Sequence, residues 1–319
     1  MELFTLGKSD IRISPVIMGT WQAGKDMWSG IEDEESIRAL KVAVDEGITT
    51  FDTAEAYGNG HSERIVGKAL KGLRDQTVIA TKVFPNHFKY DQVLNSCHKS
   101  LKNLNTDYID LYQLHWPSGS FGTKKVPIED TMKAMNKLKD QGKIRSIGVS
   151  NFSSEKIAAA AKFGQIDSLQ PPYSLFWRHV EKKEMPYCIE NGITILAYSS
   201  MAQGILAGKF GSKPSFGKGD HRSKNRLFKP EHYERILKAL GILQHIADKH
   251  KITLGQLALA WVIAHKGVCA IAGARNEEQV RQNAHAMAVS LQEDDLIQMD
   301  KAGCSVTDHL DDNPVLWNF

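Results

Sequence analysis

Short apolar runs alternate along this chain with longer runs whose apolar residues recur at helical spacing. "ITTFDT" leads to a helical pattern from Ser62 to Lys71. "TVIATK" precedes Asp91 to Leu104, and "YIDLYQLH" precedes Ile128 to Lys139. "IRSIGVS" precedes Ser153 to Lys162, "IDSLQ" precedes Glu181 to Glu190, and "ITILAYS" and "VCAIAGA" follow later. Ile37, Leu40 and Val44 share one helical face, as do Ile236, Leu240, Leu243 and Ala247. Such repetition predicts a parallel sheet joined by helical crossovers. With "PVIMGT" as the first strand there are about eight strands, the number a (β/α)8 TIM barrel needs.

The rival architecture is an open doubly wound sheet, which ordinarily carries a GxGxxG turn after its first strand. "MGTWQAGKD" lacks that spacing, so the barrel is preferred. "LFTLGKSDIRIS" reads as an N-terminal β-hairpin, with Gly7-Lys8 near its turn, able to close the bottom of the barrel. No composition break divides residues 1–319, which read as one domain. A long irregular loop follows the seventh strand, from Gln203 to Lys229. It carries Lys209, Lys213, Lys218, Arg222, Lys224, Arg226 and Lys229 against Asp220. Composition leaves a solvated surface loop and a basic flap over a phosphate-bearing ligand equally open.

The 319 residues are 42% hydrophobic and 24% charged, an ordinary globular balance. A net charge of +3 is too mild to argue for nucleic acid. Cys97, Cys188, Cys269 and Cys304 are scattered without a CxxC pair, which suggests free thiols in a reducing compartment. "MELFTLGKSD" lacks a basic start followed by an apolar run, and no window is long and apolar enough to span a bilayer. The expectation is a soluble cytoplasmic protein, monomeric or a small homo-oligomer.

A barrel of this kind places its site at the C-terminal ends of its strands. Asp52 ends the second strand, Lys82 the third and His115 the fourth, with Tyr57 just past Asp52. Singly, each has a plain structural explanation: a helix cap, a solvated lysine, a packed histidine. Together on one rim they suit proton transfer. A nearby ammonium lowers a phenol's pKa, and a carboxylate anchors that ammonium. A neutral imidazole can orient a carbonyl oxygen. The reading is Tyr57 as general acid, Lys82 as its tuner, Asp52 as anchor and His115 as orienter. A metal hydrolase is disfavoured, because His115 has no ligand partner at short spacing, although His61 and His87 could approach it in space.

"FDTAEAYG", "ATK", "DLYQLHWP", "IGVSNF", "LQPPYSLF" and "LAYSSMAQGILAGKF" occur in the order and spacing of the aldo-keto reductase superfamily, which the chain resembles over nearly its whole length. "AQGILAGK" and "GARNEEQ" resemble the branch with bacterial general reductases and potassium-channel β subunits. The resemblance implies a (β/α)8 barrel that binds NADPH/NADP+ extended and reduces aldehydes or ketones. It places the catalytic tetrad on Asp52, Tyr57, Lys82 and His115. It places Gly19, Thr20 and Trp21 near the nicotinamide, and Ser150, Asn151 and Gln170 on its carboxamide. Tyr198 would stack on the ring. Ser199, Met201, Gln203, Gly204 and Lys209 would meet the pyrophosphate, which favours the flap. Gly273, Arg275, Gln279, Gln282 and Asn283 would take the adenosine end, with Arg275 suited to a 2′-phosphate. Gly273 stands where many members carry Lys, and Asn276 with Gln279 also fits a helix capping box. Trp21, Tyr57, His115 and Trp116, with Trp28, suggest an aromatic substrate mouth that Trp317 could reach. A nucleotide-sensing regulatory protein with slow turnover is the alternative, after the channel subunits.

Overall fold

The computed structural model describes residues 2–26, 30–217 and 220–315. Strands β1 (Phe4–Thr5) and β2 (Arg12–Ile13) form the antiparallel hairpin, with Phe4 opposite Ile13. The barrel strands follow as β3 (Val16–Gly19), β4 (Thr50–Asp52), β5 (Val78–Val83), β6 (Ile109–Leu114), β7 (Ile144–Ser150), β8 (Ser168–Gln170), β9 (Thr194–Ala197) and β10 (Val268–Gly273). All pair in parallel, and β10 returns to β3 with Gly273 opposite Gly19, so the sheet closes. Closure leaves the barrel sheet no unpaired edge.

Period-two alternation sorts the strand residues into two layers. Ile17, Ala80, Leu111, Leu196 and Cys269 pack with Leu6, Ile11 and Ile13 of the hairpin, all but fully buried. The hairpin therefore plugs the bottom of the barrel, as its sequence suggests. Gly7 makes this seat: its φ is +56°, and a Cβ there would lie 2.4 Å from the Asp167 carbonyl oxygen. Alternate residues such as Met18, Phe51, Ile79 and Val149 join the apolar layer beneath the helices.

The helices are α1 (Asp33–Asp45), α2 (His61–Ala69), α3 (Tyr90–Leu104), α4 (Ile128–Asp140), α5 (Ser154–Ala161), α6 (Glu184–Asn191), α7 (Pro230–His250), α8 (Leu254–Ile263), α9 (Glu277–His285) and α10 (Glu293–Thr307). The α6 start differs from the sequence expectation at Glu181. His179–Glu181 form a separate 3-10 turn, and Pro186 then sits in the first turn of α6, where a missing N–H costs nothing. Among the described residues between Gln203 and Lys229 there is neither strand nor α-helix, only 3-10 turns and irregular backbone. This loop is anchored: Phe210, Phe216 and Phe228 pack at centroid distances of 4.6–5.7 Å, and Phe228 stacks on Tyr233 of α7. The four cysteines are free thiols, and burial pushes Cys97 and Cys188 up to about 12. Among the described residues no helix is long and apolar enough to cross a membrane.

Candidate active site

One layer above the apolar plug, the same alternation turns polar side chains into the barrel. Lys82 stands two residues past Ala80 and Gln113 two past Leu111, and the two pair in register. The Lys82 ammonium is fully buried. It donates to Asp52 Oδ1 at 2.7 Å, to the Thr53 carbonyl at 2.7 Å and to Tyr57 Oη at 3.4 Å. The other Asp52 oxygen, Oδ2, accepts from Gln170 at 2.8 Å and Gln113 at 3.3 Å. Every polar atom of this buried ion pair is thereby engaged, the condition under which such a pair is tolerated.

Burial, the largest single influence, works to lower the Lys82 pKa, but the charges of Asp52 and Tyr57 and the hydrogen bonds to both together outweigh it and hold the ammonium above its ordinary value. The Tyr57 phenol runs opposite to the sequence expectation of a lowered pKa. Burial pushes it up, Lys82 pulls it down and Asp52 pushes it up again, so it stays above its usual value. The reason is that burial and the anchoring carboxylate together cancel what the ammonium supplies. His115 is held well below the usual imidazole range, first by burial and then by the Lys82 charge, and is neutral at pH 7. Its ring meets Tyr57 edge-on at 5.8 Å and Phe84 at 5.7 Å. Its buried Nδ1 has no hydrogen-bond partner among the described residues.

A cavity of about 820 Å³ opens above this floor. Trp21, Tyr57, Phe84, His115, Trp116 and Phe121 form an aromatic wall. Ser150, Asn151, Gln170 and Tyr198 line the middle, where Tyr198 Oη donates to Asn151 Oδ1 at 2.8 Å. Asn151 Nδ2 in turn donates to Ser150 Oγ and to the His115 carbonyl. Gly19, Thr20, Ser199, Met201, Gln203, Gly204, Lys209, Gly273, Arg275 and Gln279 also reach the wall, joined by Arg222 and Lys224 of the basic loop. Asn151, Ser199, Ala202 and Gln203 hold left-handed backbone, with φ between 47° and 60°. Non-glycine residues in this region are uncommon, and their clustering at the exits of β7 and β9, on either side of β8, marks a functional rim.

Two of the sequence-assigned cofactor residues stand off the wall. Gln282 is exposed and donates to Glu278, and Asn283 is buried and donates to the Gly273 carbonyl at 3.3 Å. Gln279 serves the backbone in part: its Oε1 accepts from the Arg275 N–H at 2.9 Å while Asn276 caps α9. Gln22, not singled out from sequence, donates to the carbonyls of Gly19 and Ala274 and ties the exits of β3 and β10. A Cβ at Gly273 would lie 2.9 Å from Gln22 Oε1. Trp28, Lys218 and Trp317 lie outside the described residues. His61 pairs with Asp33 and His87 with Glu55, and no cluster suited to a metal occurs among the described residues.

The family model described as "Aldo/keto reductase family" matches residues 15–303. The chain belongs to the aldo/keto reductase family. It is 38% identical over 307 residues to aldo-keto reductase YhdN of Bacillus subtilis, covering 92% of this chain and 91% of that protein. It is 32% identical over 311 residues to a probable voltage-gated potassium channel subunit beta of Arabidopsis thaliana, covering 91% and 92%. An aldo-keto reductase from Klebsiella pneumoniae solved with NADPH superposes with a TM-score of 0.77 at 30% identity, covering 100% of this chain and 99% of that one.

The cavity of this aldo/keto reductase suits NADPH. Burial, then the positive charges of Arg275 and Arg222, push the Lys209 ammonium down. Lys209, Arg222 and Arg275 line the same stretch of wall, with Arg222 also paired to Asp220, so a phosphate there would meet positive charge. At Gly19, on the cavity wall, a Cβ would lie 2.8 Å from the Ile271 side chain.

Proposed function

We propose that the protein reduces aldehydes and ketones to alcohols with NADPH, using Tyr57 as general acid. The observation that carries this reading is the fully buried Lys82 ammonium, held on Asp52 and reaching Tyr57 Oη at the floor of the cavity. NADPH, when bound, supplies the hydride. Ser150, Asn151 and Gln170 would hold its carboxamide, Tyr198 would pack on the ring, and Lys209, Arg222 and Arg275 would take the phosphates. Neutral His115 orients the substrate carbonyl by hydrogen bonding to its oxygen. Tyr57 is protonated at neutral pH and gives its proton to that oxygen. The phenolate that forms lies beside the Lys82 ammonium, so Lys82 stabilises the charge that develops during reaction more than it acidifies the resting phenol.

The test is loss of NADPH absorbance with a reactive aromatic aldehyde, run on the wild type and Tyr57→Phe. Turnover in the wild type, with a loss of about 10²–10⁴-fold in Tyr57→Phe and unchanged NADPH binding, supports the reading. Undiminished activity in Tyr57→Phe overturns Tyr57 as the donor. The similarity to a probable channel subunit favours a second reading, an NADP(H)-binding regulatory protein. NADPH binding without turnover of any common aldehyde would select it.

A further inference from the structure

We infer that Gln113 is a positioning residue: its buried amide holds the Asp52 carboxylate and the Gln170 amide in one arrangement, and so ties the Lys82 ammonium to the cofactor seat. The inference rests on the reductase reading for its kinetic readout, and on NADPH binding alone for the rest.

Gln113 is fully buried in mid-barrel. Its Nε2 donates to Asp52 Oδ2 at 3.3 Å, and its Oε1 accepts from Gln170 Nε2 at 3.4 Å. Gln170 Nε2 also donates to Asp52 Oδ2 at 2.8 Å, which closes a triangle of three side chains. A buried amide is costly unless both ends are bonded, and a leucine of similar volume would fill the same space without that cost. Gly148 lies opposite Gln113 in register, and a Cβ there would sit 2.2 Å from Ser168 Oγ and 3.0 Å from Gln113 Cγ, so the glycine leaves both side chains their places.

The triangle fixes which end of Gln170 faces the cavity. Both hydrogens of its Nε2 are taken, one by Asp52 and one by Gln113. Its Oε1 is left to accept an N–H from the carboxamide of the cofactor. Without the Gln113 acceptor, the Gln170 amide loses the bond that selects this orientation. Without the Gln113 donor, Asp52 loses one of the two bonds that aim its Oδ1 at Lys82.

Gln113→Leu and Gln113→Glu in the full chain test the proposal. NADPH affinity is followed by nicotinamide fluorescence, and hydride transfer by single-turnover NADPH oxidation with an aromatic aldehyde. Gln113→Leu is expected to slow hydride transfer about 10-fold. It is expected to weaken NADPH binding about five-fold. Gln113→Glu sets a second carboxyl beside Asp52, and two such groups cannot both ionise at low cost. At pH 5 the protonated carboxyl repeats the amide's donation, and the rate stays within about two-fold of wild type. Between about pH 5 and 8 it ionises and the rate falls, a base-side limb that wild type lacks. A purely structural role predicts the same fractional loss at every pH, and that result overturns the proposal. Wild-type rate and affinity in Gln113→Leu overturn it as well. If wild type reduces no aldehyde, the reductase reading fails separately. A five-fold weaker NADPH affinity in Gln113→Leu then supports the positioning role, and unchanged affinity overturns it.

Discussion

Phe121 stacks on Phe84, with ring centroids 5.4 Å apart and planes 25° from parallel, while Trp116 meets Phe121 edge-on at 5.1 Å. Phe121 is 48% exposed and holds φ +56°, a conformation that an unconstrained phenylalanine avoids. A ring kept in strained backbone at the mouth of a cavity has little to do with the core. Under the proposed reductase function, the ring would meet the substrate beside the Phe84–Trp116 wall.

Replacing Phe121 by alanine should therefore lower kcat/KM for an aromatic aldehyde about 5–10-fold, the worth of one aromatic contact. For a three-carbon ketoaldehyde, too small to reach the ring, the value should stay within about two-fold. Steady-state kinetics with both substrates decides it. Equal losses on both would mean that Phe121 shapes the loop rather than the substrate choice.

The ion pair under the cavity makes a stability prediction. Lys82→Met leaves the Asp52 carboxylate buried without its cation, and should cost about 3–5 kcal/mol in urea unfolding. The double change Asp52→Asn with Lys82→Met removes both charges, and should cost clearly less than the sum of the single changes. Both forms should lose nearly all turnover, because the phenolate formed at Tyr57 no longer meets a cation. Strict additivity in the unfolding cycle would show that the two groups do not act as a pair.

Much of this site could be read from the sequence, because strand ends are where a barrel displays its chemistry and apolar runs have visible ends. Asp52, Lys82 and His115 each terminate such a run, and the structure brings them together around Tyr57. The eight strands and the plugging hairpin were legible for the same reason. Helix α8 was not: "LGQLALAWVI" is apolar on every side and buried, so it shows no period to detect. Gln113 was hidden because a polar residue inside a strand reads as an outward-facing position, and only the register shows it turned inward. The direction of the Tyr57 shift depends on desolvation, which spacing along a chain does not express. The strained turn carrying Phe121 left no signal beyond Gly119 and Gly122.

The cationic wall predicts how cofactors are told apart. Arg275 and Lys209 face the cavity, and Gln22 crowds the space over Gly273. Arg275→Ala should weaken NADPH binding about 10–100-fold, the range for removing a charge-assisted contact to phosphate. NADH, lacking the 2′-phosphate, should lose about two-fold or less. Fluorescence titration at two salt concentrations checks this. The NADPH affinity of wild type should fall with salt more steeply than that of Arg275→Ala. Equal losses for both cofactors would move Arg275 to the shared pyrophosphate.

His115 supplies a pH signature of known sign. Its folded pKa is depressed well below the ordinary value by burial and by Lys82. An unfolded chain takes up that proton near pH 6.5, while the folded protein refuses it. The contribution of this group is thus complete above about pH 6.5 and is lost as the pH falls below it, at up to ~1.4 kcal/mol per pH unit. Urea unfolding at pH 7 and pH 5 should show wild type losing more stability than His115→Gln over that interval. Histidines paired with carboxylates, such as His61 with Asp33, are present in both proteins and cancel in the difference. Activity should follow the same group: neutral His115 persists below pH 6, so the acid limb of kcat should lie under the ordinary imidazole range. A limb at pH 6.5, or the same loss of stability in His115→Gln, would mean that the imidazole is solvated and charged in the working enzyme.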